Sequence, residues 1–322
     1  MPASPDATTL RRLRSSGDTF TPASELGLPS AVDTSLSLLR AAGYQIEHHP
    51  HYGYRLLSSP DRLIADDILS RLPECRWIRD VLVFQQTGST NDLISSLGRE
   101  GAEAGIVIFA EEQTAGRGRH GRRWHAEPRL GLWFSLLIRP DFPVAQWTRL
   151  TLWIAYAVAL GIRECAGAPE IQLKWPNDLY VSGRKLAGIL VETSLGKSPF
   201  AAAGIGLNVN HPAFSPPLDA TATSLRLETG QDLDRNALAA AILISLDRTF
   251  SLLPSHFQEI VNWASAADFL RGRRVSATIG TAHHQGTAQG LDPEGALLIH
   301  TDSGVPLHLT SGEVTRFSSA EA

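Results

Sequence analysis

Apolar positions along this 322-residue chain recur at helical spacing in some stretches and alternate in others, and the changes between the two divide it. Leu10 and Leu13, then Val32, Leu36 and Leu39, keep helical spacing, and Gly43 stands where a glycine ends a helix. GYQIEHHPHYGYRLL then sets two short aromatic and β-branched runs around a polar tip. Helices followed by a hairpin predict a winged helix-turn-helix over residues 1–60, closed by Ser58-Ser59-Pro60. Over residues 61–268, strand patterns at 81–84, 106–110, 131–138, 171–173, 185–192 and 200–208 mix with helical ones at 91–98, 146–165 and 236–252. Several strands follow one another directly, which predicts an α+β domain with a central mixed sheet rather than a doubly wound parallel one. Over residues 269–322, VSATI, GTAQGL, ALLIH and PLHL alternate between Gly, Asp and Pro turns, the pattern of a small closed or nearly closed β-unit.

Composition narrows the class. With 43% hydrophobic and 19% charged residues, the chain is neither disordered nor coiled coil. Its longest near-apolar stretch, 152–162, is shorter than the roughly 18 residues of a membrane span. MPASPDATTLRRLR has no apolar leader core, and Cys75 and Cys165 are isolated, so a cytoplasmic protein without membrane partners is expected. The net charge of −4 argues against a chain coated in nucleic acid. Only Lys174, Lys185 and Lys197 are lysines among 29 basic residues. In a chain so biased to Arg, a lysine kept deep in a patterned segment points to chemistry that wants a compact, flexible ammonium.

Two such lysines lie close to the segments richest in chemical groups. Residues 114–125, TAGRGRHGRRWH, hold three glycines and four arginines without an acid. The core formally satisfies G-x-G-x-x-G, but that fingerprint must open a helix, and here the chain continues into RRWHAEPRLG. A glycine loop loaded with guanidinium groups suits anion capture instead, through backbone N–H nests and forked bonds. Four like charges on flexible glycines predict a loop that is disordered until an anion orders it. The plainer alternative is a solvated basic surface loop. Lys174-Trp175-Pro176-Asn177-Asp178 ends a strand in a tight turn. Gly183-Arg184-Lys185-Leu186-Ala187-Gly188 then enters another, with small residues that leave room for a flat ligand. Gly88-Ser89-Thr90-Asn91 leads into a helical pattern, and GIGLNVN closes a strand on asparagines. His48, His49, His51, His283 and His284 lack zinc spacing, and no metal site is assigned. LGKS lacks the first glycine of a Walker A loop.

In this order GSTND, AEEQTAGRGRHGRRW, KWPNDLY, GRKLAGILVE and GIGLNVN resemble biotin protein ligases, in particular the bifunctional type whose N-terminal winged helix acts as a biotin operon repressor. The match spans 88–210 and weakens over the rest. It implies a class II aminoacyl-tRNA-synthetase-like catalytic domain and a C-terminal SH3-like barrel. It also implies a two-step reaction: biotin and ATP with Mg²⁺ give biotinyl-5′-adenylate, and a lysine of a biotin carboxyl carrier protein or domain of acetyl-CoA carboxylase then takes the biotin. Carried over residue by residue, Lys185, Arg119 and Asp178 are the catalytic set. Ser89, Thr90, Asn91, Gln113, Gly116, Arg117, Gly118 and Gly188, with Arg119 and Lys185, are expected to bind biotin. Arg122, Trp124, Asn177 and Asn208, with the same two cations, are expected to hold the adenylate, Trp124 covering the adenine. Any Mg²⁺ is expected to arrive with ATP.

The N-terminal unit departs from the repressor pattern. The helix predicted at 31–42 offers Ser30, Asp33, Thr34 and Ser37 outward and Arg40 as its one cation, and five arginines balance five acids across residues 1–60. TPASELGLPS is short for a full second helix. DNA binding needs phosphate neutralisation first, so the unit reads as vestigial or repurposed, with operator binding left open. A homodimer through an exposed sheet edge is also left open. Two rival functions share the motifs: a biotin-sensing transcription factor without catalysis, and a lipoate–protein ligase.

Overall fold

The structure, a computed structural model, describes residues 7–27, 29–167, 169–279 and 282–317. The chain opens with α1 (Ala7–Ser15), α2 (Ala23–Leu26), α3 (Pro29–Ala41) and an antiparallel hairpin, β1 (Gln45–His49) and β2 (Gly53–Ser58). Leu10, Leu13, Leu26, Val32, Leu36, Leu39 and Tyr44 bury together as the core of this unit, the apolar stripes that the periodicity predicts. The second helix is only four residues long, as the short segment before α3 requires.

Next come α4 (Ala65–Arg71), β3 (Asp80–Thr87), α5 (Thr90–Arg99), β4 (Ile106–Gln113), β5 (Gly131–Ile138), α6 (Arg149–Ala166), β6 (Gln172–Lys174), β7 (Asp178–Val181), β8 (Arg184–Ser194) and β9 (Phe200–Asn208). The helices α7 (Leu225–Thr229), α8 (Arg235–Thr249), α9 (Leu252–Ser255) and α10 (Phe257–Ala266) complete this part. Its seven strands form one mixed sheet in the order β3-β4-β5-β9-β8-β7-β6, with only the β3/β4 pair parallel. Alternation sorts the two faces. Leu132, Phe134 and Leu136 of β5 and Ala203, Ile205 and Leu207 of β9 join the main core with α6 and α8. The near-apolar stretch 152–162 is therefore a core helix, buried almost all round. Among the described residues no helix is long and apolar enough to cross a membrane. On the opposite face, Ile94 of α5 packs on Ile108, Leu137, Phe200 and Ala202 and covers one half of the sheet. The other half carries glycines and polar side chains, and it forms the wall of a cavity.

Residues 274–317 form a five-stranded antiparallel sheet in the order β13-β12-β11-β10-β14, from β10 (Arg274–Ile279), β11 (Ala282–Leu291), β12 (Leu297–Thr301), β13 (Pro306–Leu309) and β14 (Glu313–Phe317). Charged joints brace the units. Asp67 of α4 is wholly buried and takes Arg14 Nη2 at 2.8 Å, Arg71 Nε at 2.8 Å and the Tyr44 hydroxyl at 2.7 Å. Arg235, at the start of α8, bonds both oxygens of Glu111 on β4, at 2.7 and 3.1 Å; both side chains are nearly solvent-free. Glu111 also accepts the Leu63 and Arg129 amides, tying the segment after the hairpin and the return of the glycine–arginine loop to one carboxylate.

Candidate active site

The open half of the sheet holds a cavity of about 520 Å³. Every site residue expected from the sequence lines it except Gly116. Gly116 stands behind the wall, where its carbonyl accepts the Trp124 amide at 2.9 Å and a Cβ would meet the Trp124 carbonyl at 2.7 Å. Its part is to let the loop fold back closely on itself.

One end is pre-set for hydrogen bonding. Ser89 precedes α5, and Thr90 and Asn91 open it, all three buried. Gln113 Oε1 accepts the Thr90 amide at 2.8 Å and its hydroxyl at 3.1 Å, while the hydroxyls of Thr90 and Ser135 lie 2.7 Å apart. Asn91 gives its Nδ2 to Glu192 at 2.6 Å, and its buried Oδ1 has no protein partner.

The floor beside it is bare backbone. Gly188 of β8 is in register with Gly206 of β9, and the Trp124 indole lies across both: a Cβ on Gly206 would meet that ring at 2.3 Å, and one on Gly188 at 3.0 Å. Only glycine admits so close a ring. The β7–β8 turn that starts this floor is Ser182-Gly183, both at positive φ (51° and 76°), the two-residue hairpin geometry that favours glycine.

The far end is cationic. Lys185 Nζ lies 2.8 Å from Asp178 Oδ1 and 5.3 Å from the Trp124 ring centroid. Asp178 and Gly188 are in register across β7 and β8, and the irregularity between Leu179 and Tyr180 brings Lys185 beside them. Arg119 donates to Asn177 Oδ1 at 3.1 Å and to the Gly312 carbonyl at 2.9 Å. Burial lowers the Arg119 pKa from its ordinary value, with Glu313 and Asp178 opposing the shift. Asn177 is itself fixed by Nδ2–H to the Ile189 carbonyl at 2.9 Å, and Asn208 by Nδ2–H to the Thr223 carbonyl at 3.0 Å. Arg122 pairs with Glu313, whose other oxygen is 3.4 Å from His120 Nε2. His211, stacked on Phe214 at 4.8 Å, closes another wall, and burial pushes its imidazole down to about 4.

The glycine–arginine loop is thus laid down in contact with the protein, contrary to the disorder expected of it. Counting only the charges inside the loop missed the acids outside it: Arg117 bonds Asp92 at 2.6 Å and Glu192 at 2.9 Å, and Arg122 bonds Glu313. Sequence reading also left Ser135, Gly204, Gly206, Glu192, Lys174 and Glu313 without a role. Gly204 and Gly206 stood inside GIGLNVN and Glu192 ended GRKLAGILVE, so alternation along those strands would have placed them. Nothing in the local sequence around Glu313 links it to a loop some 190 residues earlier. Among the described residues no group of three or more His, Cys, Asp or Glu side chains is placed to hold a metal ion.

A hydrogen-bonding pocket joined along a glycine strip under the Trp124 ring to Lys185 and Arg119 suits a ligand with a polar head and an anionic tail. Residues 83–210 match the Biotin/lipoate A/B protein ligase family, and residues 271–315 match the Biotin protein ligase C terminal domain. The chain is 34% identical over 286 residues to the bifunctional ligase/repressor BirA of Bacillus subtilis, covering 86% of each. It is 36% identical over 252 residues to the biotin–[acetyl-CoA-carboxylase] ligase of Mycobacterium tuberculosis, covering 73% of this chain and 88% of that one. The structure of the biotin protein ligase from Aquifex aeolicus in complex with biotin and ATP superposes with a TM-score of 0.64 at 30% identity, over 75% of this chain and 98% of that one. Likeness of this depth over most of its length makes the chain a member of the biotin protein ligase family.

Proposed function

We propose that the chain activates biotin with ATP and transfers it to a lysine of a carboxylase carrier domain. The observation that carries this reading is the single cavity in which the Thr90–Gln113–Ser135 pocket, the Gly188/Gly206 floor and the Lys185–Asp178–Arg119 cluster follow one another. A bicyclic head fits the first, its aliphatic chain runs past the Trp124 ring that covers the second, and its carboxylate meets the α-phosphate at the third. Two anions must approach for the first step, and Lys185 and Arg119 neutralise that encounter. A carboxylate oxygen then bonds to the α-phosphorus and pyrophosphate leaves. In the second step the carrier amine attacks the acyl carbon and AMP leaves. Asn91, Arg117, Gly118 and Gly188 line the biotin part in this reading. Arg122, Trp124, Asn177 and Asn208 serve the adenylate, with Trp124 over the adenine. Because a mixed anhydride hydrolyses readily, the loop bearing Arg117 and Arg119 excludes water until the acceptor arrives. Mg²⁺ supplies charge neutralisation on the phosphates, with Asp178 the nearby acid. Labelled biotin should pass to an apo carrier domain only when ATP and Mg²⁺ are present.

In the same reading the chain works in the cytoplasm as three units, 1–60, 61–268 and 269–322. The first is a winged helix and the last an SH3-like barrel. The winged helix is repurposed from DNA binding, because its arginines, though several are exposed, are bonded to groups of the chain itself. Arg11 caps the carbonyls of Leu69, Ser70 and Leu72, Arg12 that of Leu26, and Arg40 that of Ile46. Arg14 pairs with Asp67 and Arg55 with Glu47. For a homodimer, the edge strand β3 with exposed Leu82 and Phe84 is the surface that fits.

A further inference from the structure

Lys174 is one of three lysines in a chain whose other 26 basic residues are arginines, and no role has fallen to it. It lines the cavity on the edge strand β6. In register it lies opposite Asp178, which lies opposite Gly188, itself opposite Gly206. One row across the sheet therefore leads from the glycine floor, through the acid beside Lys185, to Lys174, roughly 5 Å further out by strand spacing. Its ammonium lies 4.9 Å from the Phe317 ring centroid and 5.6 Å from that of Tyr180. Among the described residues no carboxylate comes within ion-pair distance of it. The nearby acids are committed elsewhere, Asp178 to Lys185 and Glu313 to Arg122 and His120. Burial lowers the pKa of Lys174 from its ordinary value, partly offset by Asp178 and reinforced by Lys185.

A partly desolvated cation steadied by aromatic faces, with no acid of its own, is one whose counter-anion comes with the ligand. We infer that Lys174 anchors the pyrophosphate leaving group, holding the β- and γ-phosphates of ATP while Lys185 serves the junction of carboxylate and α-phosphate. The inference rests on the ligase reading above and adds a residue to its first step. There a biotin carboxylate oxygen forms its bond to the α-phosphorus. The bond from that phosphorus to the bridging oxygen breaks, and pyrophosphate takes the electron pair. Negative charge grows on the departing oxygen, beyond Lys185 on the side where Lys174 stands. A flexible ammonium between two rings can follow that charge, whereas a planar guanidinium would lie flat on them.

The test separates the two half-reactions in the full chain. Lys174→Met should slow adenylate formation from biotin and ATP-Mg by about 100-fold, the scale of losing one cation aimed at developing charge. It should weaken product inhibition by pyrophosphate by about tenfold or more. Transfer from purified biotinyl-5′-adenylate to an apo carrier should keep the wild-type rate. Lys174→Arg, which keeps the charge, should retain part of the pyrophosphate inhibition. If the Met variant does not fold, Lys174→Gln gives the same neutralisation with a polar tip. Unchanged pyrophosphate inhibition would overturn the inference, and so would equal slowing of both half-reactions. Failure of the wild-type chain to form adenylate would instead remove the ligase reading beneath it.

Discussion

Lys185 and Arg119 meet at one end of the cavity but are held differently, and this separates their expected roles. Lys185 lies on a strand, paired with Asp178 at 2.8 Å, so its position is set by the sheet. Arg119 lies on a loop and is fixed by Asn177 and the Gly312 carbonyl, contacts that can be remade. Lys185→Ala should abolish adenylate formation, since Lys185 is the sheet cation assigned to the carboxylate–phosphate junction. Arg119→Gly should still form adenylate but release it faster, as followed by hydrolysed biotin appearing in solution. Adenylate retained as firmly as in the wild type would contradict the clamp role. At this scale the sequence is informative where a residue type is restricted, as for a lysine surviving among arginines; it read Gly188 as room for a flat ligand, where the Trp124 ring lies. It is silent on polar partners such as Ser135 and Glu313, whose function comes only from which side chain they face.

At the scale of elements, β4 and α8 share a buried ion pair that also fixes the chain on either side of the site. Glu111 receives Arg235, the Leu63 amide that follows the N-terminal unit, and the Arg129 amide where the glycine–arginine loop returns to the sheet. Removing one member leaves a charge without its counter-charge in the interior. Arg235→Met should therefore lower the unfolding free energy by about 3 kcal/mol in a denaturant titration, as for other broken buried pairs. A loss below about 0.5 kcal/mol would show that the pair contributes no more than a surface one. Long patterned elements such as β5, β9, α6 and α8 were legible because their period is sustained. The short helices α4, α7 and α9 and the short strands β7 and β14 were not predicted, and α10, as long as the predicted α5, was missed as well. The loop was read as disordered because carboxylates distant in sequence, Asp92, Glu192 and Glu313, do not enter a local charge count.

For the whole molecule, the described residues form three sheets, of two, seven and five strands, and ion pairs join the elements around them. The C-terminal sheet supplies Glu313 and the Gly312 carbonyl to the loop over the cavity, so it forms part of the site's wall. The arginines of the N-terminal unit are bonded to carbonyls and carboxylates of the chain itself, and duplex DNA should not bind it at physiological salt even with biotin and ATP present. A salt-dependent, sequence-specific complex on a gel would contradict that. The ligase reading itself is tested most directly by a chase. The chain is incubated with labelled biotin and ATP-Mg, freed of small molecules, and then given an apo carrier domain. The account predicts bound biotinyl-5′-adenylate before the chase and label on the carrier lysine after it, with neither when ATP is omitted. Biotin bound without any adenylate would contradict it and leave a sensor in place of an enzyme.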